Sequence, residues 1–304
     1  MVTIRQMRSV AAVVEEGSFT RAAQRENATQ SGVSQHVAAV ESALGVSLFD
    51  RSAEGVRPTP AGQRYYTRCI EVLRNLELAS SEAQATGRGV SGRVRAGLMP
   101  AFTRAILPPV LDRFLATYAD VEVEVIEGYS GTLTDMVRAQ ELDFAAVPSA
   151  KATVGLTVTH LIRNAEHLVS GPAMGLTHNA PQCLSDLPPL NMIVPARSNA
   201  RRAKLDEYFE THGVRIAKRL EMDAMLATLG LVARSTWVTV LPQMICLADA
   251  EGTARRISPI ISPTFASDFT IIEPARRPLA VPAQLFLDGL REELNRHAAF
   301  ATPT

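Results

Sequence analysis

Cysteine is scarce in this 304-residue chain: Cys69, Cys183 and Cys246 stand far apart. An odd number with no CxxC spacing argues against a disulfide framework and a zinc site, and fits a reducing compartment. Aromatic residues make up 5%, with a single tryptophan, Trp237, and lysine is confined to Lys151, Lys204 and Lys218. The formal net charge is zero. Undirected attraction to a polyanion or a membrane surface therefore has no support, and any nucleic-acid affinity must come from local placement of charge. No apolar run reaches about 18 residues, so no membrane-spanning helix is predicted. The opening "MVTIRQMRSVAAVVEEGSF" has an apolar stretch broken by Glu15 and Glu16, too short for a signal peptide, and the cytoplasm is the expected location. The six histidines, at 36, 160, 167, 178, 212 and 297, are scattered. No GxSxG, Walker or GxGxxG motif and no metal-ligand cluster occurs, so neither an enzyme, a cofactor nor a metal is predicted. One local absence is sharper: no lysine or arginine lies between Arg25 and Arg51.

What is present is periodic. Ile4, Met7, Val10, Ala11 and Val14 carry helical spacing, and Gly17 ends that helix. Ser18 caps "FTRAAQR", and in the short turn "ENA" Asn27 suits a left-handed conformation. Thr29 caps a third helix that runs to about Ala43 and stops at Gly45. "VSLFDRSAEGVRPTP" reads as a small hairpin or wing. From Pro60 to about Gly87 no proline interrupts a long helical pattern. Tyr65, Cys69, Val72, Leu76, Ala79 and Ala83 form a heptad seam on it, which suits dimerisation or packing within one domain. "GRGVSG" reads as a hinge.

Beyond the hinge, strands and helices alternate in the order of an α/β parallel sheet. Strands are predicted at Arg93–Leu98, "VEVEVIEG", "LDFAAVP", "LNMIVPA", "WVTVLP" and "DFTIIEP". Helices are predicted over 106–118, 133–140, 200–212, 224–233 and roughly 282–297. The pattern occurs twice, giving two α/β lobes with a cleft between them.

The stretch "VVEEGSFTRAAQRENATQSGVSQHVAAVESALGVSLFDRSAEGVRPTPAGQ" resembles the winged helix-turn-helix domain of LysR-type transcriptional regulators. The resemblance runs without a gap over about 3–64, with "GSFTRAA", "TQSGVS", "LFDR" and "TPAG" at the family's spacing. It continues through a linker helix and a two-lobed effector domain to about 296, on weaker signals such as "ILPPVLDRFLATYADVEVEVIEG" and "MDAMLATLGLVARSTWVTVLP". The fold it implies is α/β and multidomain. It comprises a winged helix-turn-helix at 1–59, a linker and dimerisation helix at 60–88, and a periplasmic-binding-protein-like effector domain at 89–304. Lobe I of that domain covers about 91–162 and 267–304, and lobe II about 163–266. Glu26 and Ala28 replace apolar residues usual in the turn, Ser31 stands where proline is common, and Gln35 where a basic residue is common.

On the third helix Val33, Val37 and Val40 share one face, while Ser31, Ser34, Gln35 and Ala38 lie opposite, with Gln30 and His36 on the flanks. The resemblance places Gln30, Ser31, Ser34 and Gln35 at the major groove of a double-stranded operator and Arg51 near the minor groove. Glutamine can pair bidentately with adenine, and serine can donate or accept. The missing charge is expected from Arg21 and Arg25 on the preceding helix and from Arg51 and Arg57 at the wing; Arg57 reads equally as a solvated charge. His36 is expected to meet phosphate or solvent.

The resemblance also implies a small molecule between the lobes, and parallel sheets bind ligands beyond their strand ends. Candidate contacts are Met99, Pro100, Ser130, Thr132, Pro148, Arg197, Ser198, Asn199 and Trp237. Hydroxyls and amides beside helix N-termini, with Arg197 nearby, favour a carboxylate, and Trp237 an apolar wall. Each has a plainer reading: Ser130 and Ser198 as N-caps, Pro100 and Pro148 as turns, Arg197 as surface, Trp237 as core. The expected effector is an organic or aromatic carboxylate or an amino-acid derivative. Expected partners are DNA and a second copy, as dimer or dimer of dimers, with RNA polymerase a further candidate. A solute-binding module without DNA function is the remaining alternative, and residues 1–64 argue against it.

Overall fold

The computed structural model describes residues 1–52, 55–148, 154–197 and 199–298. Two units divide the chain: Met1–Gly89 with Ala152–Thr157 and Glu273–Val281, and Val90–Lys151 with Val158–Ile272 and Pro282–Thr304.

In the first unit, α1 (Ile4–Glu16) opens on a capping box between Thr3 and Gln6 and ends at Gly17 in the left-handed conformation. Those caps satisfy helix-end amides and carbonyls that would otherwise lack partners. Ser18 caps α2 (Phe19–Arg25), Asn27 takes the predicted positive φ in the turn, and Thr29 caps α3 (Gln30–Leu44). Val33, Val37 and Val40 are fully buried against Val10, Ala11, Val13 and Ala22, so the 3.6-residue period orients α3. The wing pairs β1 (Phe49–Ser52) with β2 (Gly55–Pro58) antiparallel. It is fixed to α3 through Glu41, whose Oε1 accepts from the backbone N–H of Leu48 at 2.7 Å and of Phe49 at 3.3 Å.

Thr59 caps α4 (Pro60–Arg88), and its N–H donates to the Leu48 carbonyl. Gly62 lies so near that carbonyl that a Cβ there would stand 2.0 Å from the oxygen, so "TPAG" ends in glycine for close approach of backbone to backbone. The first half of α4 buries Tyr66, Cys69 and Leu73, while Val72 and Leu76 of the predicted seam are exposed. Glu26, unusual in its turn, has a partner. Arg276, from the 273–281 segment of this same unit, reaches Glu26 at 2.7 Å and Glu15 at 3.0 Å, and the Tyr66 hydroxyl donates to Glu15 at 2.9 Å.

The second unit is organised by a nine-stranded sheet. Its elements follow in chain order: β3 (Gly92–Leu98), α5 (Pro100–Thr103), α6 (Leu107–Thr117), β4 (Val121–Glu127), α7 (Ser130–Arg138), β5 (Phe144–Pro148) and β6 (Leu156–Ser170). Then come β7 (Leu190–Val194), α8 (Ala200–Thr211), β8 (Ile216–Glu221), α9 (Met225–Ala233), β9 (Trp237–Pro242), α10 (Gln243–Cys246), β10 (Arg256–Pro259), β11 (Ala266–Pro274) and α11 (Val281–Ala298). The strand order is β4-β3-β5-β11-β6-β9-β7-β8, with β10 beside β6. Two like sets emerge. β3 pairs parallel with β4 and β5, and β11 runs antiparallel to β5. β7 pairs parallel with β8 and β9, and β6 runs antiparallel to β9.

β6, β8 and β10 were not among the predicted strands. In β6 the polar Asn164, Glu166 and His167 are buried where apolar residues are expected, and β8 is an edge strand with Lys218 and Arg219 exposed. Neither carries the alternation that marks a half-buried strand.

Candidate functional site

On α3 the side chains of Gln30, Ser31 and Gln35 are exposed and Ser34 is half-buried, with Ala38 and Ala39 open beside them. The Ser31 hydroxyl lies 3.2 Å from that of Thr29, which itself accepts from the Gly32 amide at 3.1 Å. The helix thus presents a smooth polar face on a rigid apolar floor. Its flank differs from expectation: His36 Nδ1 is 2.8 Å from the Ser9 hydroxyl, so the imidazole ties α3 to α1.

The source of positive charge also needs correction. Arg25 is engaged by Glu15 at 2.8 Å and Glu16 at 2.9 Å, and Arg21 bonds the Glu16 backbone carbonyl. These acidic partners offset the charge that a phosphate contact needs. Arg57 is exposed on β2. Arg51 sits on β1 opposite Val56, and its side chain lies outside the described residues.

In the second unit a pocket of about 550 Å³, counting its open mouth, lies where strand C-termini converge. The chain leaving β3 supplies Met99 and Pro100, that leaving β4 supplies Tyr129, and that leaving β7 supplies Pro195 and Asn199. The chain leaving β8 supplies Met222 and Asp223. Parallel strands bring their C-termini to one edge, and this is the edge at which α/β sheets bind ligands.

One end of the pocket is polar. Arg201, in the first turn of α8, is 7% exposed. Its Nη2 donates to Glu166 Oε2 at 2.6 Å and to the Val240 carbonyl at 3.2 Å. The Ser267 hydroxyl donates to the other Glu166 oxygen at 2.6 Å. Arg201 Nε is buried without a hydrogen-bond partner. Asn199 caps α8 by accepting from the Arg201 amide at 3.1 Å and donates to Asp223 Oδ1 at 3.2 Å. The Ala196 amide donates to the same oxygen at 3.2 Å. The Tyr129 hydroxyl donates to the Asp223 carbonyl at 2.6 Å. Burial, with the nearby Asp223 and Glu127 carboxylates, pushes its ionisation up, so it remains a neutral donor. The rest of the wall is mostly apolar, with Ile193, Met225, Ile245 and Phe269 prominent beside Thr228 and Thr239.

Of the sequence-predicted residues, Met99, Pro100 and Asn199 line this pocket. The others that are described stand elsewhere. Ser130 is the first residue of α7, its carbonyl accepting from Thr134, while the N-cap position belongs to Tyr129; Thr132 is exposed on the same helix. Pro148 pairs with Phe269 across β5 and β11, and Phe269 is the member of the pair that reaches the wall. Arg197 is exposed in the turn after β7. Trp237 begins β9 in register with Asn191. It therefore sits toward the N-terminal edge of the parallel set, whereas the pocket draws on Thr239 to Pro242 at the strand's other end. Ser198 lies outside the described residues. Sequence reasoning missed Arg201, Tyr129 and Asp223. Arg201 and Arg202 are adjacent and indistinguishable in the sequence; Arg202 turns to Asp206 and Glu221 instead. Asp223 follows β8, itself unrecognised.

A reading helix on a winged scaffold and a ligand pocket at paired strand ends define a DNA-binding regulator with an effector-binding domain. The comparisons agree. Residues 4–63 match the bacterial regulatory helix-turn-helix protein, lysR family, and residues 87–295 match the LysR substrate binding domain. The chain belongs to the LysR family of transcriptional regulators and is not an enzyme. It is 28% identical over 303 residues to the nitrogen assimilation regulatory protein nac of Klebsiella aerogenes, covering 97% of this chain and 96% of that protein. It is 26% identical over 297 residues to the transcriptional activator protein LysR of Escherichia coli, covering 96% and 94%. The fold matches that of a hydrogen-peroxide-bound mutant of Corynebacterium glutamicum OxyR, with TM-score 0.59, 19% identity and coverage of 99% of this chain and 97% of that one. Among the described residues no helix is long and apolar enough to cross a membrane.

Proposed function

We propose that this regulator reads its operator through Gln30, Ser31, Ser34 and Gln35, anchors on phosphates through Arg51 and Arg57, and answers a small carboxylate-type effector. The helix N-terminus and Arg201 receive the carboxylate. The single observation that carries the effector reading is Arg201, a pocket-lining residue whose Nε is buried without a hydrogen-bond partner. A buried donor without an acceptor costs about 1–3 kcal/mol, and a carboxylate oxygen removes that cost. The exposed neutral face of α3 supports the DNA assignment, since short polar side chains discriminate bases with little attraction to phosphate. The proposal includes action in the cytoplasm as a dimer or dimer of dimers, with the three-part domain scheme, the effector shifting the spacing of DNA-reading units and RNA polymerase downstream.

The test is fluorescence anisotropy on the DNA adjoining the gene, across a salt series, with and without aliphatic and aromatic carboxylates. Gln35→Ala is expected to relax base choice by about 1–3 kcal/mol at one position with an unchanged salt slope. Arg51→Ala is expected to weaken all sequences and reduce the slope by about one unit. Identical behaviour of the two variants sinks the division of labour, and a DNA affinity that no carboxylate alters sinks the effector class.

A further inference from the structure

We infer that the effector is an apolar α-amino acid held as a zwitterion, its carboxylate on Arg201 and its ammonium on Asp223; this rests on the reading of the pocket as the effector site. The charges lining the polar end do not suit a simple anion. The guanidinium of Arg201 is already matched by Glu166 at 2.6 Å. Asp223 is met only by the Ala196 amide and the Asn199 carboxamide, both on Oδ1, so its other oxygen has no donor among the described residues. A bare carboxylate entering here adds a second negative charge without a counter-charge. In a site partly removed from water that juxtaposition is unfavourable. A zwitterion brings an acceptor to Arg201 Nε and a cationic donor to the open Asp223 oxygen together.

Arg201 and Asp223 line the same pocket. Asn199 joins the two segments that carry them: its side-chain oxygen accepts from the Arg201 backbone N–H at 3.1 Å and its side-chain amide donates to Asp223 Oδ1 at 3.2 Å. Beyond them the wall turns apolar through Met99, Ile193, Met222, Met225, Ile245 and Phe269. A hydrocarbon or thioether side chain buries favourably against that surface, and methionine adapts to its shape.

Isothermal titration calorimetry on the full chain tests this with L-leucine, L-methionine and L-phenylalanine. Each is compared with the acid that lacks its amino group and the amine that lacks its carboxylate. At least one amino acid is expected to bind roughly 10- to 100-fold more tightly than both of its truncated forms. In Asp223→Asn, which keeps the oxygen that accepts from Ala196 and Asn199, the preference of the amino acid over its amino-free acid is expected to collapse toward unity. The wild-type series stands without the variant. Equal binding of an amino acid and its amino-free acid overturns the zwitterion and leaves the carboxylate reading intact. Equal binding of the amine overturns both, as does the failure of every carboxylate-bearing probe, aromatic acids included. A preference that survives in Asp223→Asn removes Asp223 from the site.

Discussion

On α3 the outward polar atoms belong to Gln30, Ser31 and Gln35, short neutral side chains carried on Val33, Val37 and Val40. In the pocket they belong to Arg201 and Asp223, charged groups held by residues far away in the chain. The contrast follows from solvent. An exposed amide or hydroxyl keeps its water until the partner arrives, so the helix needs only to hold positions. A charge in a water-poor wall needs counter-groups before any ligand binds. Glu166 from β6 and Ser267 from β11 perform that service for Arg201. The first surface is cheap to vary, since no buried group depends on it. The second is costly to vary because its support and its chemistry are the same groups.

The largest expected effect breaks that support. Glu166→Ala strands Arg201 in the wall and is expected to destabilise the pocket-bearing unit by about 3–5 kcal/mol, read as a lower urea midpoint. An unchanged midpoint means that the wall holds Arg201 without Glu166, and the contrast with α3 loses its basis. Gly62→Ala acts on the other region. Its Cβ stands 2.0 Å from the Leu48 carbonyl oxygen, so the junction of wing and α4 must move, at about 1–3 kcal/mol. DNA affinity is expected to fall while calorimetric effector binding persists; loss of both means that the two regions do not tolerate damage separately.

The smallest effect is a pH slope. Burial works against the charge of Asp249, yet Arg104 and Arg255 hold its carboxyl below the usual range. Burial likewise opposes Glu293, and Arg113 and His297 hold it low. A carboxylate depressed on folding stabilises the fold above its unfolded value and loses that contribution as pH falls through the folded value. Melting temperature is therefore expected to decline on acidification from the ordinary carboxylate range downward, and less steeply in Asp249→Asn. An equal decline in that variant assigns the slope to other groups.

The helix-turn-helix was legible almost residue by residue. Its caps Ser18 and Thr29, its left-handed Gly17, Asn27 and Gly45 and its buried valines are set by neighbours a few positions away. The strand–helix alternation beyond residue 90 was legible for the same reason, except where β6 buries polar residues, β8 lies at an edge and β10 is a four-residue strand. The family resemblance located the pocket, but the residues chosen for its polar end were largely those conspicuous in sequence, Arg197 and Trp237 among them. The first lies in an exposed turn and the second toward the opposite edge of the sheet.

By itself, then, the sequence determined the helix-turn-helix, most of the strand–helix alternation beyond it, the exposed polar face of α3 and the absence of charge along it, because these depend on periodicity and local backbone chemistry. Only the tertiary structure decided that Arg25 is engaged by Glu15 and Glu16 and that Glu26 meets Arg276. It also decided that Arg201 and Asp223 line the pocket while Arg197 lies in an exposed turn. Ion pairs and desolvation depend on distances between residues far apart in the chain, and no local pattern encodes those distances.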